Sequence, residues 1–214
     1  MRFGFAGVAA VLLWPTVVVG FEPGSLGDAY RDFGYVQGCS DAGELPGCTI
    51  IAGGSQFVAP ADGQTPPEVM ALLRDLPKLS YIEFRGDILN VFDSYAEIAF
   101  GAVAVADPGA DPYGDLVAGM QGRWQSVDDP QSMVEVDGLI WSDVYGGEAL
   151  GQSVISLAEG CSDGSVTEGL ILELFTIGAL DAPSMCYSVV TAAEGRMELI
   201  YLPRGNTLAF QQVE

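Results

Sequence analysis

Four cysteines, a surplus of carboxylates and no histidine set the chemistry open to this chain of 214 residues. Without an imidazole there is no Ser-His-Asp or Cys-His nucleophile, and the commonest general base and metal ligand is missing. The remaining enzymatic route is a carboxylate pair of the kind that hydrolyses glycosides. With 29 acids some pair is inevitable. Asp128-Asp129, followed by Pro130, reads as a turn between two strands. Asp107, Asp111 and Asp115 recur every four residues, but they lack the D-x-[DN]-x-[DN]-G order and the closing glutamate of a calcium loop. They read as part of a capped linker helix. Arg85-Gly86-Asp87 spells an adhesion tripeptide, yet it falls between two strand-like runs, where Gly86-Asp87 reads as a hairpin turn. The expectation is a protein that is not an enzyme and carries no cofactor and no metal.

The cysteines point instead to an oxidising compartment. Cys39, Cys48, Cys161 and Cys186 allow three connectivities, lack a C-x-x-C pair, and have no histidine to complete a zinc site. Sequence-local pairing, Cys39–Cys48 and Cys161–Cys186, is the simplest. It closes loops that chain-entropy arguments value at roughly 2.7 and 3.5 kcal/mol. Residues 1–20 read as a signal peptide: Arg2 is the charged start, Phe3 to Leu13 the apolar core, and Val18-Val19-Gly20 the cleavage region. The apolar run is shorter than the ~20 residues of a spanning helix. A periplasmic or secreted protein with no membrane span after cleavage is expected. The formal charge of −21, with Lys78 the single lysine, repels nucleic acid and favours a cationic partner.

The elements that would position any site divide the chain. Asp107-Pro-Gly-Ala-Asp111-Pro112 cannot continue a strand or helix. Asp111 is expected to cap a short helix, with Pro112 at its first position and its end near Met120. From there eight strand-like runs follow: 123–127, 132–136, 139–145, 148–158, 168–175, 185–192, 196–202 and 207–213. Asp137-Gly138, Gly146-Gly147, Glu194-Gly195 and Arg204-Gly205-Asn206 mark turns between them. Short connections imply antiparallel neighbours, and eight such strands fit an up-and-down barrel. The segment 21–106 reads as an α+β module. It has a helix over Ser25–Phe33, a capping box at Thr65-Pro-Pro-Glu68 opening a helix to about Leu76, and strands at 48–51, 56–58, 81–84, 87–92 and 95–106. The expected organisation is thus a signal peptide (1–20), an α+β module (21–106), a linker with a short helix (107–120) and a mainly β barrel (121–214).

Gly122-Arg123-Trp124 opens the barrel run, and Arg204 stands at the turn into its last strand. On these residues, with the short helix before the first strand, the segment resembles the lipocalin-like, or calycin-type, small barrels. The tail 199–208 looks like that of exported bacterial lipocalin-like proteins. The resemblance implies that the Trp124 indole and the Arg204 guanidinium pack together at a closed end. Such a contact is worth ~0.5–2 kcal/mol. It also implies that a small apolar ligand enters at the other end. The segment departs from the family where Thr191-Ala-Ala-Glu-Gly195 replaces a Thr-Asp-Tyr signature. Alternation along the middle strands makes Trp141, Tyr145 and Phe175 the candidate wall residues. The alternative partner is a cationic protein, as for an inhibitor of a basic envelope hydrolase or an envelope-assembly factor.

Overall fold

The computed structural model describes residues 18–42, 45–107, 109–166, 169–179 and 182–213. Apart from residues 18–20, the expected signal peptide lies outside them, as does the expected strand start at Glu168.

The C-terminal half is a closed barrel of eight antiparallel strands. They are β7 (Gly122–Ser126), β8 (Ser132–Asp137), β9 (Ile140–Tyr145), β10 (Glu148–Ala158), β11 (Ile171–Thr176), β12 (Met185–Ala193), β13 (Arg196–Tyr201) and β14 (Asn206–Val213). Each pairs with the next, and β14 returns to β7 with Gln212 opposite Trp124. The turns have the chemistry that the sequence advertises. Gly146-Gly147 and Glu194-Gly195 both place two successive residues at positive φ, the primed turn that matches strand twist. Alternation then sends Trp124, Val134, Trp141, Leu172, Leu199 and Phe210 into the interior, each nearly or fully buried.

The N-terminal half is built on six strands and one helix. They are β1 (Val18–Val19), β2 (Asp28–Ser40), β3 (Gly47–Ala52), β4 (Ser55–Pro60), α1 (Pro67–Asp75), β5 (Tyr81–Val91) and β6 (Ala96–Val105). β2, β3 and β4 form a meander, α1 follows, and β5–β6 is a hairpin. β6 runs parallel to β4, and β5 runs antiparallel to β2, so the ring closes. The result is a five-stranded ring in the order β6-β4-β3-β2-β5. β1 adds to the edge of β6 opposite Ala102 and Val103. Val69, Met70 and Leu73 of α1 cap a core that includes Phe84, Ile98 and Phe100. Among the described residues no helix is long and apolar enough to cross a membrane.

Four local expectations fail here. Ser25–Phe33 forms no helix: Asp28–Ser40 is one strand, flanked by β5 on one side and β3 on the other. Tyr30, Phe33, Tyr35 and Val36 suit a pleated surface, and two neighbouring strands satisfy the backbone better than an isolated nine-residue helix would. Arg85-Gly86-Asp87 is no hairpin turn, because it runs through the middle of β5, where a bulge falls between Arg85 and Gly86. A Cβ on Gly86 would stand 2.1 Å from the Ala99 carbonyl oxygen. Asp87 is fully buried, so the tripeptide is not presented. The capping box at Thr65 does not form either: the Thr65 hydroxyl accepts the Phe100 N–H at 3.0 Å, and Pro66 caps α1.

The linker helix α2 (Gly114–Met120) begins after Tyr113, two residues later than an Asp111 cap would place it. The Asp111 carboxylate accepts the Tyr113 N–H at 2.9 Å and the Tyr35 hydroxyl from β2. It pins the linker to the N-terminal module instead of capping the helix. Both sequence-local disulfides are present. Cys39–Cys48 joins residues directly opposite each other on β2 and β3, and Cys161–Cys186 ties the β10–β11 loop to β12.

Candidate functional site

The barrel is closed at one end by α2, and not by the expected indole–guanidinium pair. Trp124 is fully buried, and its Nε1–H donates to the Met120 carbonyl at 2.7 Å. Val117 and Met120 fill the end of the barrel beneath it. Gln121 fastens this lid. Its side chain donates to the Gly138 carbonyl at 3.0 Å and accepts the Gly138 N–H at 2.8 Å, while Gln212 donates to the Gln121 carbonyl. Arg204 lies exposed in the β13–β14 turn. Gln212, the partner of Trp124, lies six positions along β14 from that turn's Asn206. At ~3.3 Å per residue the two side chains are about 20 Å apart, on opposite rims. Gly122 and Trp124 belong to the closed end, and Arg204 does not. Sequence reasoning missed Gln121; its sequence signal is a polar residue between the end of the short helix and a glycine, Gly122.

The three candidate wall residues go to three different places. Trp141 points inward, 3% exposed, and meets Phe210 edge-to-face with ring centroids 6.2 Å apart. Tyr145 lies on the same face of β9 at the open rim and is 47% exposed. Phe175 does not line the interior. It pairs with Val154 on the outer face of β10–β11 and turns toward the N-terminal module. One-residue alternation decides this: Leu174 takes the inward position, so its neighbour must face out.

The interior itself is filled by its own side chains, as is possible in an eight-stranded barrel. The cavity that Phe175 lines lies outside it, between the two modules, with a volume of about 350 Å³. One wall is the outer face of β10–β11, with Val154, Phe175 and Ile177. The other is Phe57 of β4 with the tip of the β5–β6 hairpin, where Phe92 and Tyr95 stack at 4.6 Å. Tyr30, which also lines the groove, stacks on Phe57 at 4.8 Å and donates its hydroxyl to Asp32. Burial, and then the Asp32 carboxylate, push the Tyr30 phenol far above its ordinary value, so it stays neutral. Val91 and Phe92 leave the hairpin tip largely exposed at the groove's edge.

A polar and apolar interface also joins the two modules. Gln37 donates to the Asp137 carbonyl at 2.7 Å and accepts the Leu139 N–H at 3.0 Å, so one amide grips the β8–β9 turn. Lys78 reaches both oxygens of Asp137, at 2.7 and 2.8 Å. Tyr35 and Ile51 of the N-terminal module are buried in the same cluster as the barrel's own core.

At the open mouth of the barrel stands a group that the sequence reading passed over. Asp143 lies two residues from Trp141 on the inward face of β9 and accepts the indole Nε1–H at 3.0 Å. Burial pushes its carboxyl above the ordinary range, against the pull of that hydrogen bond. Tyr187 stands near enough to feel its charge and packs against Tyr201, with ring centroids 5.3 Å apart. Burial, and then the Asp143 charge and Tyr201, push the Tyr187 phenol up to about 12. Among the described residues no group of histidine, cysteine or carboxylate side chains is placed to hold a metal ion. No protein-family model matches the chain, nor does any curated protein or any solved structure.

Proposed function

We propose that this chain is an exported, non-enzymatic binding protein of lipocalin-like barrel type, and that its small apolar ligand sits in the groove between the barrel wall and the N-terminal module. The observation that carries this reading is the groove's make-up. A volume of about 350 Å³ lined by Phe57, Phe92, Tyr95, Val154, Phe175 and Ile177 has the size and apolar character of small-molecule sites. The filled barrel interior directs the reading to the outer wall. Two disulfides in a chain without histidine fit an oxidising compartment and a role in binding.

The test is titration with the neutral fluorescent probe N-phenyl-1-naphthylamine. Saturable binding that hardly responds to salt, weakened at least several-fold by Phe175→Asp and unchanged by Trp141→Phe, is the expected result. Absence of saturable binding would overturn the reading. Capture of a basic protein that is released as ionic strength rises would replace it with the cationic-partner alternative.

A further inference from the structure

We infer that the open mouth of the eight-stranded barrel is a second site, for a small organic cation with an ammonium head group, set by the Asp143 carboxylate among the rings of Trp141, Tyr187 and Tyr201. The argument begins with an uncompensated charge. Asp143 is half-buried, and its one side-chain partner among the described residues is the neutral indole N–H of Trp141. The four ion pairs among those residues all lie elsewhere, so no Lys or Arg neutralises it. A carboxylate withdrawn from water without a cation is costly to keep unless something supplies the missing charge.

The surroundings select what that something is. Trp141, Tyr187 and Tyr201 are electron-rich rings, and aromatic rings grouped around an anionic side chain are the elements of ammonium recognition. Space is present as well. Gly151 of β10 lies in register with Asp143 on the same inward face, and a Cβ there would meet nothing within 4 Å. The bulge between Ala149 and Gly151 interrupts the β9–β10 ladder here, and Glu148 to Gln152 are exposed. An entering head group therefore finds a way past Tyr145 to the carboxylate. The net charge of −21 adds a general attraction for cations.

This site is independent of the intermodule groove, whose lining includes neither Trp141 nor Asp143. Calorimetric titration of the full chain at low salt with choline, and with its uncharged carbon isostere 3,3-dimethylbutan-1-ol, tests it. Choline is expected to bind saturably, and the isostere about tenfold more weakly or not at all. Asp143→Asn should lower choline affinity by about tenfold while leaving naphthylamine binding intact. Should that variant fail to fold, Gly151→Leu, which fills the space and keeps the carboxylate, must block choline instead. Equal binding of the isostere, no saturable heat with choline, or unchanged choline affinity in whichever variant folds would each overturn the inference.

Discussion

Gly54 lies against the Cδ2–Cε2 edge of Phe175: a Cβ built on Gly54 would stand 2.5 Å from both ring atoms. This contact joins the β3–β4 turn of one module to the outer wall of the other, at the edge of the proposed ligand groove. Gly54 also holds φ at +79°, so a side chain there is strained as well as crowded. Gly54→Val should force Phe175 aside, lower stability by about 1–3 kcal/mol, and reduce naphthylamine binding. Thermal melting and probe titration on the same sample check both effects. A variant as stable as the parent, with unchanged probe affinity, would show that the contact matters to neither.

The closed end of the barrel separates the lid that forms from the one the sequence suggests. Trp124→Ala should cost about 3–5 kcal/mol, the usual range for emptying a buried aromatic site. Gln121→Ala removes both bonds to Gly138 and should cost about 1–3 kcal/mol. Arg204→Ala, in an exposed turn, should stay within about 0.5 kcal/mol of the parent. Denaturant melts of the three variants give the ranking, and a large loss from Arg204→Ala would contradict the rim assignment.

Two carboxylates give the stability opposite dependences on pH. Burial alone would raise the Asp87 carboxyl, but amide donors from Gly24, Leu26 and Gly27 at 2.5, 2.6 and 3.1 Å outweigh it and hold it below the ordinary range. Its unfolded value, about 3.9, is therefore the higher one. The stabilisation it provides is complete above that value and is lost as pH falls through the folded one. Asp87→Ala should abolish this acid limb and free segment 22–27 to rapid hydrogen exchange. Asp143 has its folded value raised by burial, so its folded state binds the proton more tightly. Stability from this group declines as pH rises from the unfolded value through the folded one. Asp143→Asn should flatten that decline, and melts between pH 3 and 7 separate the two limbs.

The disulfides should contribute unequally to the two modules. Cys161–Cys186 holds a loop of 25 residues' separation and, beside it, buried Glu173 accepts the Ser162 N–H and the Ser162 and Ser184 hydroxyls. Cys39–Cys48 spans a separation of 9 between strands already in register. Paired Cys→Ser substitution should cost roughly 3–4 kcal/mol for the first and about 2–3 kcal/mol for the second. Two melting curves measured without reductant decide it. A larger loss from the shorter loop would reverse the order.

The barrel was legible because its signals are local. Dipeptides such as Gly146-Gly147 and Glu194-Gly195 fix turn type through φ, and alternation in Met197–Tyr201 fixes which side faces in, so each of the eight expected runs overlaps a strand of the barrel. Pairing of Cys39 with Cys48 follows in the same way, since β2–β3 is a short connection, whereas Cys161 reaches Cys186 on β12 from the longer β10–β11 loop. Other features needed partners remote in sequence. Asp28–Ser40 is a strand because β5, some fifty residues later, lies alongside it. Asp87 is buried because segment 24–27 folds over it, and Arg204 misses Trp124 because β14 is long enough to carry the turn to the other rim. The proposed groove and the proposed Asp143 site are of the same kind: one is built between two modules, the other across a closed ring. Hydrogen-bond geometry and residue alternation act over a few positions and can be read along the chain, whereas burial and desolvation depend on what the folded chain brings near, which only the tertiary structure decides.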